Sequence, residues 1–293
     1  MKRIKTEDAI NEYLEYVKLK RKKNTYLTIE RKLNKHFTPF FKNIFIDDIT
    51  VKDYLNWQLD INKQDFKYNH KSSLHYAVSG FYDYLSKFYG IENIARKVGN
   101  FKNNDVASDG NIWTIDEFKK FIKCVDDEYY KILFELLYFT GLRKGEALAL
   151  KWEDINFYTH TLSINKTITR THELQTPKTR TSYRLITLDE YMINNLRKLY
   201  KNNNHDFIFK NITFTTLLRK KNKYCKLAGV KQIKIHEFRH SHACLLFMND
   251  VPIDEISHRL GHSKISITTD TYLKYIPIKE KRVINTLNSL HCF

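Results

Sequence analysis

The sequence predicts a mainly helical protein with a small antiparallel β-sheet, divided into two domains. Three observations carry this. Gly and Pro are scarce, 8 and 4 among 293 residues, which favours long regular elements over a loop-rich, all-β design. Apolar residues recur at helical spacing through the first hundred positions and again beyond residue 236. Between these regions, residues 162–170 and 183–188 are β-branched and alternate in polarity, the pattern of half-buried strands.

In chain order, Ile10, Tyr13, Leu14 and Val17 mark a first helix, and Tyr26, Ile29, Leu33 and Phe37 continue the pattern. Thr50 with Asp53 forms a capping box that opens a third helix through Tyr54, Leu55 and Trp57. A fourth spans roughly residues 70–88. Residues 99–111 are polar and aperiodic and read as a linker. A second capping box, Thr114 with Glu117, starts a helix carrying Phe118, Phe121 and Ile122. Residues 130–139 are apolar on nearly every face, which marks a core helix, and Gly141 is its natural stop. The two strands follow, joined by a polar, turn-like segment. From His236 the chain returns to helices, with breaks near Asn249-Asp250, Pro252 and Gly261. The expected division is residues 1–98, a helical domain; 99–111, a linker; and 112–293, a second domain ending in a tail helix.

Lys and Arg number 50 against 33 acidic residues, a net charge of +17, which attracts polyanions, nucleic acid first and anionic membrane second. The four cysteines sit at no metal-ligand or redox spacing and are too few to staple a chain of this length, so a reducing, cytoplasmic setting is expected. The first residues carry no apolar signal-peptide core, and no apolar stretch is long enough to cross a bilayer.

Four segments of the second half hold groups suited to a phosphate. In Thr140-Gly-Leu-Arg143-Lys-Gly-Glu146, an Arg opens a new helix, where helix amides favour anions and its planar fork can hold two phosphate oxygens. Lys178 lies on the turn between the strands, within reach of a groove, as a donor of a proton to a departing oxygen. In His236-Glu-Phe-Arg239-His240, spacing of three puts His236 and Arg239 on one helical face as a second clamp, with His240 and His242 expected to support the structure. Finally, Gly261-His262 closes a short helix and leaves His262 at the junction before Tyr272. A phenol with a reference pKa of about 10 attacks only beside a base or in a strongly cationic pocket, which two Arg and two His supply.

In this order and wording, the boxes TGLRKGEALALKW, TPKTRTSYRLITL, HEFRHSHACLL and RLGHSKISITTDTY resemble those of the tyrosine recombinases of the phage-integrase type, from about Trp113 to Tyr275. The helical first domain resembles the family's core-type DNA-binding domain in size and texture only. Residue by residue, the resemblance implies that Arg143 and Arg239 bind the scissile phosphate and that Lys178 protonates the leaving 5′-oxygen. It also implies that His236 is the acid/base group near the nucleophile, that His262 donates to the phosphate, and that Glu146 orients its neighbours. Tyr272 would become linked to the 3′-phosphate. Tyr275, about the same face one turn on, is its rival, and the spacing from His262 favours Tyr272. Lys274 stands where the family often has His.

The implied activity is site-specific DNA recombination without metal, ATP or other cofactor. Its implied partners are double-stranded DNA bearing recombination sites, further copies in a tetramer on synapsed duplexes, and accessory DNA-bending or excision proteins. The basic side chains of both domains would neutralise DNA phosphates, giving steep salt dependence. Val283, Ile284, Leu287 and Leu290 give the tail an amphipathic face, packed in the family onto a neighbouring protomer and otherwise onto its own domain. The core-type helices begin almost at residue 1, so an additional arm-site domain is not expected within this chain. Two rivals share these features: a DNA-binding regulator that keeps the fold without catalysis, and a type IB topoisomerase. A basic membrane-surface protein would leave the ordered residues unexplained.

Overall fold

The computed structural model describes residues 3–104, 111–169, 172–176, 183–201 and 205–262. The chain divides into two compact units, Met1–Ala107 and Ser108–Phe293.

The first unit is helical: α1 (Thr6–Lys20), α2 (Lys23–Lys32), α3 (Val51–Lys63), α4 (Tyr68–Tyr89) and α5 (Ile94–Val98). α1 buries Ala9, Ile10, Tyr13, Leu14 and Val17, the stripe that its spacing requires. α2 runs on into a wider turn, Leu33–Phe37, in which the Thr38 amide donates to the Leu33 carbonyl. This turn buries Leu33 and Phe37, while Tyr26 and Ile29 are only half-buried. α3 opens with the Thr50–Asp53 capping box. Trp57 is fully buried, and its Nε1 donates to the His36 carbonyl at 2.7 Å, so its polar edge is satisfied inside an aromatic core with Phe37 and Tyr54. Two residues of the segment read as linker pack here. Phe101 is buried against Trp57, and the Gly99 carbonyl accepts from Gln58 Nε2 at 2.8 Å.

The second unit starts with α6 (Ile115–Lys123), opened by the Thr114–Glu117 capping box, and α7 (Glu128–Thr140), which is buried along most of its length. Among the described residues, α8 (Lys144–Leu148) leads into five short strands: β1 (Ile155–Asn156), β2 (Thr161–Ile164), β3 (Thr167–Ile168), β4 (Leu174–Gln175) and β5 (Arg184–Thr187). They form an antiparallel sheet in the order β1-β2-β5 and a separate β3-β4 hairpin. The single strand expected over residues 162–170 is therefore two. Asn165 Nδ2 and Lys166 Nζ both donate to Asp154 Oδ1, at 3.2 and 2.6 Å. Consecutive side chains aimed at one acid cannot alternate between two faces, so the ladder breaks there.

α9 (Glu190–Lys201), α10 (Phe214–Ala228), α11 (Glu237–Met248) and α12 (Ile253–Leu260) complete the described residues. Phe118, Phe121, Phe134, Tyr138, Trp113 and Phe238 interlock at the centre of the core, with Phe118 and Tyr138 stacked at 3.8 Å. α11 packs on α7 through this core, and that contact positions the site described next. No described helix is long and apolar enough to cross a membrane.

Candidate functional site

The site grows from the end of α7. Gly141 terminates that helix in the left-handed conformation, φ +66°, which a side chain resists. The space is also closed: a Cβ there would lie 2.6 Å from Leu260 Cδ2 and 2.8 Å from His242 Cδ2. Backbone, α11 and the end of α12 therefore meet at a position where only hydrogen fits.

Arg239, two residues into α11, is almost fully buried. Its Nη1 donates to the Gly141 carbonyl at 2.9 Å and its Nη2 to the Leu260 carbonyl at 2.5 Å. Both acceptors are carbonyls left over at helix C-termini. They fix the guanidinium without cancelling its charge.

Arg143 stands at the N-cap of α8 and is partly exposed. Its amide donates to Glu146 Oε2 at 2.9 Å and its Nη1 to Glu146 Oε1 at 2.8 Å. Glu146 is buried and also accepts from Arg184 Nη1 and Nη2, at 3.2 and 2.8 Å. Burial pushes the Glu146 carboxyl up, but the Arg184 bonds and charge, and then the Arg143 charge, outweigh it and hold it at about 2.

His236 occupies the N-cap position of α11, and its ring meets His240 edge-on, with centroids 5.0 Å apart. His236 is exposed to solvent as a residue, although protein atoms lie close around its ring. That crowding comes first, and the charges of His240, Arg239, Arg143 and Lys144 add to it, lowering the imidazole to about 4. His262 follows Gly261, whose left-handed conformation, φ +68°, closes α12. It is half-buried, and burial followed by Arg239, Arg143, His240 and Arg184 lowers it to about 4 as well. Both imidazoles are thus neutral near pH 7, each with one N–H donor and one acceptor nitrogen.

The structure therefore brings Arg143, Glu146, His236, Arg239, His240 and His262 together in one cationic cluster of the second unit. His242, adjacent in the motif, does not share the pocket's surface. It is 2% exposed, and its Nε2 accepts from Arg259 Nε at 3.3 Å. Its Nδ1 faces the Tyr138 carbonyl without a well-formed hydrogen bond. Lys178, Tyr272, Tyr275 and the tail lie outside the described residues.

Among the described residues, two buried cations escaped the motif reading. Arg184 faces inward from β5, on the same side as Ile186 by the two-residue alternation of the strand. Lys221 on α10 is 2% exposed, and its Nζ donates to the Ile233 carbonyl and to Gln232 Oε1, bracing the segment that delivers His236. Among the described residues no group of three or more His, Cys, Asp or Glu is placed to hold a metal ion.

The model of the phage integrase family matches residues 113–276, more than half of the chain, and the model of the phage integrase N-terminal SAM-like domain matches residues 7–61. The chain belongs to the phage integrase family. As a member of this family it is a tyrosine recombinase of the mobile-element type, a DNA strand-transferring enzyme. Among relatives, the ICEBs1 integrase of Bacillus subtilis (strain 168) is 26% identical over 307 aligned positions, covering 96% of this chain and 82% of that protein. Tyrosine recombinase XerA of Pyrococcus horikoshii is 28% identical over 287 positions, covering 92% and 90%. Two solved structures share the fold of this phage integrase. The Tn1549 transposon integrase in complex with a circular intermediate DNA matches with a TM-score of 0.74 at 20% identity, over 94% of this chain and 99% of that one. A lambda integrase dimer bound to a COC′ core site matches with a TM-score of 0.72 at 17% identity, over 92% and 77%. Neither rival, the catalytically silent regulator nor the type IB topoisomerase, is favoured by these relatives.

Proposed function

We propose that this recombinase binds double-stranded DNA at specific sites and exchanges strands through a 3′-phosphotyrosyl intermediate formed at Tyr272. The observation that carries the reading is the meeting of two guanidiniums and two neutral imidazoles in one pocket of the second unit.

In this reading Arg143 and Arg239 hold the non-bridging oxygens of the scissile phosphate. The Tyr272 oxygen attacks phosphorus as its proton passes to the acceptor nitrogen of His236. The bond from phosphorus to the 5′-oxygen breaks, and Lys178 donates the proton that the leaving oxygen takes up. His262 donates its N–H to the phosphate. The crowded phosphorane carries more negative charge than the diester, so donors fixed beforehand stabilise the transition state more than the ground state. One phosphoester bond replaces another, so the energy of the linkage is kept. A 5′-hydroxyl from a partner strand then reverses the step and completes the exchange, with no high-energy cofactor consumed. Copies of the chain act together as a tetramer on two duplexes, a reading supported by the lambda integrase tetramer bound to a Holliday junction in a related fold.

The test is covalent capture. The purified chain is incubated with DNA flanking its gene, the mixture is denatured, and protein-linked DNA is recovered and sequenced. Wild type and Tyr275→Phe should give adducts at a defined site, and Tyr272→Phe should bind that site without forming one. An adduct that survives Tyr272→Phe moves the nucleophile elsewhere, and no adduct from wild type ends the reading.

A further inference from the structure

We propose that Arg184 is a positioning residue for strand cleavage, tying the Glu146 carboxylate that orients Arg143 to the end of α12 that presents His262. This rests on the reading above.

The geometry is a single fork spanning two elements. Arg184 Nη1 and Nη2 both reach Glu146, while Nε donates to the Arg259 carbonyl at 2.9 Å. Leu260, the next residue, gives its carbonyl to Arg239. Two consecutive carbonyls at the end of α12 are thus held by two different guanidiniums, immediately before the Gly261 turn that sets His262. The Arg184 side chain is 2% exposed and its Glu146 partner 4%. Burying such a pair costs several kcal/mol of desolvation per ion, and well-packed apolar residues are often as stable there. Core stability alone gives little reason for this arrangement, whereas the need to fix an angle between two elements does. A lysine could not substitute: three donors in one rigid plane reach α8 and α12 at once, and an ammonium on a flexible stem does not.

Arg184 also governs the charge of the pocket. Glu146 is shared between two guanidiniums, so Arg143 is held by the carboxylate without being fully neutralised by it. Without Arg184, the whole carboxylate charge falls on Arg143 and draws it away from the phosphate. The defect is therefore in handling substrate charge, and it should depend on that charge.

The experiment uses the full chain and a nicked duplex carrying the captured site, with single-turnover adduct formation as the readout. One duplex has the normal scissile phosphodiester. The other has a methylphosphonate there, which removes the negative charge of a non-bridging oxygen. Arg184→Met should lower the cleavage rate on the phosphodiester by on the order of 10²-fold, the scale expected when a catalytic group is misplaced by about 1 Å. DNA affinity should be nearly unchanged, and the defect should be much smaller on the methylphosphonate. Arg184→Lys keeps the charge and loses the fork, and should show an intermediate defect with the same substrate dependence; it decides the question if Arg184→Met does not fold. Combining Arg184→Met with Glu146→Gln should cost less than the product of the two single defects, because the part of the Arg184 effect that runs through Glu146 is already lost. An equal rate loss on both substrates, or no loss from either variant, overturns the proposal while wild-type adducts leave the recombinase reading intact. Failure of wild type to form an adduct overturns both.

Discussion

Replacing Gly141 by Ala tests how the pocket is built. Two costs add. A residue with a Cβ pays about 1–2 kcal/mol for the left-handed conformation at φ +66°. The new methyl would also sit 2.6 Å from Leu260 Cδ2 and 2.8 Å from the His242 ring carbon, and overpacking of this kind costs about 1–3 kcal/mol. The control is Gly229→Ala. Gly229 ends α10 at φ +62° with no atom within 4 Å of the added methyl, so it pays the conformational cost alone. Urea unfolding should show Gly141→Ala destabilised by roughly 2–5 kcal/mol and Gly229→Ala by about 1–2 kcal/mol. The excess at Gly141 is relieved by moving Leu260, the His242 ring or the Gly141 carbonyl, and Leu260 and Gly141 both hold Arg239. Adduct formation should therefore fall for Gly141→Ala under conditions where it is fully folded, and stay normal for Gly229→Ala. Equal destabilisation of the two variants with normal cleavage by both would refute this account of the α7–α11–α12 junction.

Two further outcomes follow from the pocket and its support. Arg143→Ala and Arg239→Ala should each slow single-turnover cleavage by on the order of 10²–10³-fold or more, measured as adduct formation at saturating protein; near-normal rates would remove them from the reaction. His242 gives a pH test of stability. Burial first, and then the charges of Arg259 and Arg239, hold its pKa at about 3 against an ordinary value of 6.5. Its neutral form favours the fold in full above pH 6.5, and that contribution is lost as pH falls from there through about 3. The stability advantage of wild type over His242→Gln, by urea unfolding, should narrow by about 3 kcal/mol between pH 7.5 and 4.5; a constant difference would contradict the buried neutral imidazole.

Much of this was legible in the sequence because the relevant constraints are local. The capping boxes at Thr50 and Thr114 specify their helix starts through side chains three residues away, and both form as written. Gly141 and Gly261 each end a helix because the left-handed turn favours a residue without a Cβ. The division of the strand at Asn165 and Lys166 was not legible, because both side chains answer to Asp154, eleven and twelve residues earlier. α9 and α10 passed unread between two motif boxes, although Met192, Ile193 and Leu196 keep helical spacing and Thr213 caps α10. For the pocket, motif order named Arg143, His236, Arg239 and His262, since each sits at a helix end that sequence can mark. Arg184 could not be found that way. Its importance comes from facing Glu146 across 38 positions of chain, which no local pattern encodes.

The charge arrangement has a consequence for proton uptake. Arg239 is held in part by neutral carbonyls, and the Glu146 charge is divided between Arg143 and Arg184, so the pocket keeps a positive field that no single carboxylate cancels. After burial, that field is what lowers His262 to about 4, and it contributes at His236. An oxyanion bound between the guanidiniums offsets the field and raises both imidazoles. A group whose pKa is higher in the bound state takes up a proton on binding, so anion affinity should strengthen as pH falls below the bound value and level off near 4. Sulfate suits the test because it does not titrate in this range. At constant ionic strength, the imidazole C–H resonances of His236 and His262 should titrate at higher pH when sulfate replaces chloride. Sulfate should also bind more tightly at pH 5.5 than at pH 7.5, with proton uptake visible as a buffer-dependent binding heat. Arg143→Gln should weaken both effects. If sulfate binding proves independent of pH and leaves the two histidines unmoved, the guanidiniums and imidazoles do not share an anion, and the pocket is not the cradle for a scissile phosphate.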